Sequence, residues 1–386
     1  MSKIPLSVPS LNGNELQYVK ECIDTEWVSS AGKYVDLFEQ KIAEYTGSKY
    51  AIACVNGTAA IQVSLRLAGV GAGDEVIVST LTFIASVNAI TYNNATPIFM
   101  DADKYYNLDS EKTIEFIRQE TVFRDGFTYS KTTNNKISAI VPVHIWGNAT
   151  WQDELVPLCE ERNIAVVEDA SESLGTVYTA GKYEGRSTGT IGKLGCISFN
   201  GNKVITAGGG GMILTDDKQL ANKARYLTTQ AKDDPVRYIH HEIGYNFRLT
   251  NIQAALGVAQ LEQLPLFLKC KRKIFKQYQS GLNNIDGLDL ADVPDYANNN
   301  HWMNLLQIDS EVYGEDWELL MQRLKEKGVQ TRPVWFLNHL QKPYRKCQNY
   351  ELGRAEKLFN KSLCLPSSIN LTDDQINSIV IFLSDR

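Results

Sequence analysis

From residue 50 to residue 215, short runs of β-branched and apolar residues alternate with stretches whose apolar positions recur every three to four residues. No other feature of the chain restricts its fold as much. The strand-like runs are Ala51 to Val55, Glu75 to Ser79, Thr96 to Asp101, Ile137 to Val143, Ile164 to Glu168, Cys196 to Phe199 and Gly211 to Thr215. Between several of them lie amphipathic segments such as Thr58 to Ala68 and Trp151 to Arg162. Strands that alternate with helices can lie parallel, because each helix carries the chain back, so the pattern predicts an α/β domain around a largely parallel sheet. The nearly unbroken apolar run Ile164-Ala165-Val166-Val167 fits a strand covered on both faces.

The chain has 386 residues, more than the roughly 250 to 300 at which a single core stops growing, so two domains are expected. After about residue 245 the pattern turns helical: Ile252, Ala255, Leu256 and Ala259 form one apolar face, and Trp317, Leu320, Met321 and Leu324 another. This places a large α/β domain at 1–245 and a smaller α+β domain at 246–386. The stretch Arg124 to Lys136 and the Asn-rich run from Asp295 to Asn300 read as surface loops. A formal net charge of -6 argues against a general nucleic-acid or anionic-membrane binder. The start lacks the apolar core of a signal peptide, and no apolar run approaches the roughly 18 residues of a membrane span, so a cytoplasmic protein is expected. The seven cysteines are scattered without a C-x-x-C pair and the five histidines show no ligand spacing, which predicts reduced structural thiols and no metal site.

Three motifs carry the chemistry. In CVNGTAAI (54–61) a strand runs through Asn56, Gly57 and Thr58 into a helix, whose first amides can hold a phosphate that Gly57 lets come close. An ordinary capped helix has the same sequence. In VVEDASESLG (166–175) Asp169 follows an apolar strand, at the sheet edge where ligands bind in such folds. A carboxylate buried there calls for a cation, and the protonated nitrogen of a pyridine cofactor is one, although Glu168 or Asp169 could instead cap the next helix. In SFNGNKVITAGGGGMI (198–213) Lys203 precedes four glycines. Lysine is the residue for Schiff-base chemistry with an aldehyde, and glycines 208–211 leave room for a flat ring. A phosphate cup, a carboxylate and a lysine in this order fit pyridoxal 5′-phosphate. GVGAGD (69–74) follows a helix and precedes a strand, the wrong order for a dinucleotide loop.

With these motifs, and with VPSLNGNELQYVKECIDTEWVSSAGKYVDLFEQKIAEYTG (8–47) and GYNFRLTNIQAALGVAQLEQL (244–264), the chain resembles the DegT/DnrJ/EryC1/StrS sugar aminotransferases over nearly its whole length. The resemblance implies the aspartate aminotransferase-like fold (fold type I of the pyridoxal-phosphate enzymes) and a homodimer with shared active sites. It implies that Lys203 forms the Schiff base and shuttles the proton, while Asp169 keeps the pyridinium nitrogen protonated. Gly57, Thr58 and Ser198 would hold the phosphate, Asn200 would contact the cofactor, Phe83 would pack on the ring, and Asn246 would reach the phosphate of the other subunit. Glu172 stands where many members carry glutamine or histidine near the phenolic oxygen, so its carboxyl must be protonated, turned away or compensated. Arg248, Arg332 and His339 are candidates for the substrate. FNGNK (199–203), VPVHIWGNATW (141–151) and TRPVWFLNHLQ (331–341) are similar to the branch that aminates sugars of the legionaminic and bacillosamine type, beside the perosamine synthases. The implied reaction carries the amino group of L-glutamate to C4 of a nucleotide-linked 4-keto-6-deoxy sugar. Alternatives are a GDP-perosamine synthase, a C3-aminating dTDP-sugar enzyme, a sugar dehydratase and a cofactor-binding regulator. Relatives that dehydrate carry histidine in place of the lysine, and no helix-turn-helix or basic extension is apparent in the sequence, which speaks against a regulator.

Overall fold

The computed structural model describes residues 3–234 and 236–385. The main sheet contains Tyr50–Cys54 (β1), Glu75–Ser79 (β2), Thr96–Met100 (β3), Ile137–Val141 (β4), Ala165–Asp169 (β5), Leu194–Ser198 (β6) and Gly211–Thr215 (β7). Their spatial order is β1-β7-β6-β5-β4-β2-β3, and a short strand at Asn349–Tyr350 extends the sheet beyond β3. Only β7 runs against its neighbours, pairing antiparallel with β1 and β6. All seven expected strands are present, within two residues of their sequence bounds. β2 shows why they read as apolar runs. Val76 and Val78 enter the core on one face of the sheet, and Ile77 enters the core on the other, against Phe116, Leu155 and Leu158. Both faces are covered, so both parities are apolar.

A second, antiparallel sheet has the order Leu288–Leu290, Asn304–Ile308, Ser362–Leu365, Arg332–Pro333. The helix Asn251–Leu282 connects the two cores. Its start is fixed by a capping box between Thr250 and Gln253. Its first half lays Ala254, Ala255 and Val258 into the main core, and its second half gives Ile274, Tyr278 and Leu282 to the core around the smaller sheet. Ile4, from the other end of the chain, joins that smaller core.

Two expected surface loops take other forms. Overlapping the first part of 124–136, Thr121–Arg124 and Phe127–Ser130 pair as an antiparallel hairpin. Asp125 and Gly126 form its turn with φ of 52° and 78°, a conformation that Asp-Gly tolerates. In the Asn-rich run, Ala297–Asn298 pairs with Val177–Tyr178, while Asn299 and Asn300 are buried. Their amides replace water with protein partners: Asn299 Nδ2 donates to Asn148 Oδ1 at 2.5 Å, and Asn300 Nδ2 donates to the carbonyls of Glu172 and Leu174.

Candidate active site

β1, β5 and β6 point the same way, and antiparallel β7 begins at the edge where they end. Four segments of the motifs therefore meet at one rim. Asp169 is the last residue of β5 and Ser198 the last of β6, while Gly57 opens the helix Gly57–Leu67 that follows β1. Gly211, the first residue of β7, pairs with both Cys54 and Ser198.

At this rim a cavity of about 430 Å³ is lined by Gly57, Thr58, Phe83, Asp169, Glu172, Ser198, Asn200 and Lys203. Eight of the residues expected at the cofactor thus face one space. Arg332 reaches the same cavity from the smaller sheet. A larger open groove of about 760 Å³ lies at the opposite edge of the main sheet, along Ser138, Val166 and Lys193. It gathers none of the expected residues, so the chemistry assigns the site to the smaller cavity.

The alternation of β5 separates its two carboxylates. Glu168 faces away from the cavity, where it accepts the backbone amides of Gly189, Ile191 and Gly192 and hydrogen bonds from His144 and Gln152. It therefore pins a loop rather than capping a helix. Asp169 faces the cavity and is 4% exposed. Its Oδ2 accepts from Ser86 Oγ at 2.6 Å and its Oδ1 from the Ser171 amide at 3.0 Å. Among the described residues no cation lies within ion-pair distance of it. A buried carboxylate held by two neutral donors is suited to a protonated ring nitrogen.

The start of the helix Gly57–Leu67 is equally specific. The Asn56 side chain accepts the Ala59 amide at 2.8 Å, and the first two helical residues, Gly57 and Thr58, have no carbonyl one turn earlier to bind. A methyl group added at Gly57 would lie 2.9 Å from Ser198 Cβ and 3.2 Å from Ser171 Oγ. The glycine therefore keeps open a small cradle of amides and hydroxyls, the donor set that a phosphate takes at a helix N-terminus. With Lys203 on the same cavity wall, the residues fit pyridoxal 5′-phosphate.

Lys203 Nζ lies 3.4 Å from Glu172 Oε1 and 4.2 Å from the centre of the Trp302 ring. Burial raises the Glu172 carboxyl to about 7, against the lowering effects of Lys203 and of the Trp146 amide that donates to Oε2 at 2.9 Å. This carboxyl therefore faces the lysine rather than turning away, and burial outweighs its partners, so that it holds its proton up to about neutral pH. Trp146 itself has φ of 52°, a costly backbone conformation for a bulky residue. Its ring stacks on Trp335 at 4.6 Å, and Trp335 lies 6.0 Å from Phe83, whose ring is half exposed at the cavity wall.

Three expected residues lie outside the cavity lining of a single chain. Asn246 is exposed beside the stacked rings of Tyr245 and Phe247. Arg248 pairs with Glu39 at 3.3 Å and Asp36 at 3.5 Å. His339 shares a 2.7 Å hydrogen bond with Thr80 Oγ1. Sequence reasoning passed over Ser86, Ser171, Trp146, Trp302 and Trp335. The motifs quoted above contain Ser171, Trp146 and Trp335 but not Ser86 or Trp302, and nothing in a motif tells which hydroxyl reaches Asp169 or which indole turns inward.

Fold and site together define a pyridoxal-phosphate-dependent aminotransferase. The chain belongs to the DegT/DnrJ/EryC1/StrS aminotransferase family, whose profile matches residues 9–384, and it is a sugar aminotransferase of that family. It is 38% identical to GDP-perosamine synthase of Escherichia coli O157:H7 over 391 aligned positions, covering 100% of both chains. It is 36% identical to GDP-perosamine synthase of Caulobacter vibrioides, covering 99% of this chain and 98% of that one. Among solved structures, DesI in the presence of its TDP-sugar product superposes with a TM-score of 0.87 at 27% identity, covering 100% of this chain and 93% of DesI.

Proposed function

We propose that the protein transfers the amino group of L-glutamate to C4 of a nucleotide-linked 4-keto-6-deoxy sugar, with UDP-2-acetamido-2,6-dideoxy-4-ketohexose as the acceptor. The observation that carries the reaction class is the shared cavity: the Lys203 amine, the Asp169 carboxylate and the Gly57 cradle open onto one space. When bound, pyridoxal 5′-phosphate supplies an aldehyde carbon and a ring that draws electrons from an adjacent carbanion. Asp169 holds a proton on the ring nitrogen. Gly57, Thr58 and Ser198 anchor the phosphate, Asn200 lines its approach, and Phe83 bounds the ring face. Lys203 Nζ would shuttle the proton between the substrate carbon and the cofactor carbon, with Glu172 as its polar neighbour. Lysine at this position serves both half-reactions, first with glutamate and then with the ketone.

The choice of acceptor rests on the VHIWGNATW stretch and its likeness to the legionaminic- and bacillosamine-type branch. The relatives named GDP-perosamine synthase favour a second reading, in which the acceptor is a GDP-linked sugar. In both readings the active site is shared within a homodimer in the cytoplasm. Asn246 reaches the phosphate bound by the other subunit, and Arg248, Arg332 and His339 serve the substrate. Large and small domains divide at residues 245 and 246. The test is to incubate the enzyme and glutamate with UDP-2-acetamido-2,6-dideoxy-4-ketohexose and, separately, with GDP-4-keto-6-deoxymannose, identifying products by mass and NMR. A 4-amino UDP sugar is expected. Preference for the GDP sugar transfers the assignment to the second reading, and amination at C3 refutes the regiochemistry.

A further inference from the structure

Trp302 comes from a loop about a hundred residues away in the chain, yet it is tied to both sides of the reactive amine. Its ring, 2% exposed, lies 4.2 Å from Lys203 Nζ, measured to the ring centre. Its Nε1 donates at 2.6 Å to the carbonyl of Asn202, the residue before the lysine. Its backbone amide donates at 2.9 Å to Asn300 Oδ1, and Asn300 Nδ2 donates in turn to the carbonyls of Glu172 at 2.8 Å and Leu174 at 3.0 Å. Behind it, the buried Lys271 donates to the Trp302 carbonyl at 2.9 Å. Two closed circuits result. One runs from the lysine amine through the indole to the backbone carbonyl that precedes the lysine, and the other runs from the amine through Glu172 and Asn300 to the backbone amide of Trp302.

We propose that Trp302 is a further catalytic residue: its ring face and the Glu172 carboxyl form a two-sided seat that holds the Lys203 amine when it carries a proton, and Asn300 is the positioning residue that sets both sides. This rests on the transaminase reading, in which Lys203 Nζ breaks the α C–H bond of glutamate, carries the proton as an ammonium and gives it up to carbon within the same half-reaction. An indole face attracts an ammonium without accepting its proton, and the attraction grows when water is excluded. A carboxyl on one side and a π face on the other can therefore stabilise the charged amine while leaving the proton on nitrogen. Asn300 is itself 1% exposed, and a Cβ at Gly147 would lie only 1.9 Å from its Oδ1. The strut thus depends on a glycine with φ of 91° in the loop that carries Trp146.

The experiment replaces Trp302 in the holoenzyme with mono-, di- and trifluorotryptophan, which weaken the π face stepwise while keeping the indole shape, so folding is not at issue. Stopped-flow absorbance follows the single-turnover reaction with glutamate, using both protiated and α-deuterated donor. A graded fall in rate is expected, reaching about tenfold at three fluorines, with the half-saturation for glutamate within about twofold of the unsubstituted enzyme and a rising isotope effect. As a readout independent of turnover, the ¹⁹F resonance of monofluorinated Trp302 should move when Lys203→Met is introduced. A flat rate series with an unchanged isotope effect, or a resonance indifferent to Lys203, overturns the seat while leaving the transaminase reading intact. Failure of the unsubstituted enzyme to react with glutamate overturns both.

Discussion

Glu172→Gln isolates the cost of a buried carboxyl beside the Lys203 amine. The side chain is 5% exposed, and burial raises its pKa from 4.5 to about 7. Between those two values the folded chain holds a proton that the unfolded chain has released, so stability falls as pH rises through this window and the full penalty remains above it. At about 1.36 kcal/mol per unit, the penalty above pH 7 is roughly 3 kcal/mol. Glutamine can still accept the Trp146 amide now taken by Oε2, but it carries no charge to desolvate. The stability of Glu172→Gln relative to wild type should therefore improve by about 2 to 3 kcal/mol between pH 5 and pH 8. Urea unfolding of the full chain at both pH values, at one protein concentration, measures this difference. An equal difference at the two pH values would mean that Glu172 is not a raised acid, and the reasoning about its burial would fail.

Asp169→Asn should keep the fold, since asparagine can still accept the Ser171 amide and its Nδ2 can donate to Ser86 Oγ. Losing one charge-assisted bond to the ring nitrogen, worth about 1.5 to 3 kcal/mol, should slow turnover at least about tenfold. Steady-state rates beside a thermal melt decide this, and unchanged turnover would remove the assigned role. Gly57→Ala should leave the helix intact, because alanine is the better helix former, but the added methyl at 2.9 Å from Ser198 Cβ should weaken cofactor binding about tenfold or more. An absorbance titration with pyridoxal 5′-phosphate reads the loss, and wild-type affinity would refute the cradle. Mixing an Asn246→Ala variant with a Lys203→Ala variant should restore activity through heterodimers that contain one intact site. Activity confined to monomers in solution would refute the shared site.

Much of this was legible in the sequence because it depended on local rules. Strands buried on both faces announce themselves as unbroken apolar runs, and β2 and β7 fall where the sequence places them. Lys203, Asp169 and Gly57 stand in motifs that combine a strand end with a chemically suited residue type, and the structure brings them to one cavity. The hairpin in 121–130 was missed although Asp125-Gly126 is a hairpin signal, because the polar run around it resembled a loop. Asn299 and Asn300 were misread for a different reason. Polarity predicts exposure only when no protein group can satisfy the amide, and here Asn148, Glu172 and Leu174 do so from more than a hundred residues away. Trp302 depends on the same long-range packing, which no periodicity records.

Borohydride reduction of the holoenzyme decides whether Lys203 is the amine that carries the cofactor. Reduction converts a Schiff base into a stable secondary amine, and digestion followed by peptide mass spectrometry locates it. Expected are loss of the visible absorbance and a phosphopyridoxyl mass on the peptide containing Lys203, absent from Lys203→Ala. The same mass on any other lysine, or its persistence in the Lys203→Ala protein, would exclude Lys203 as that amine.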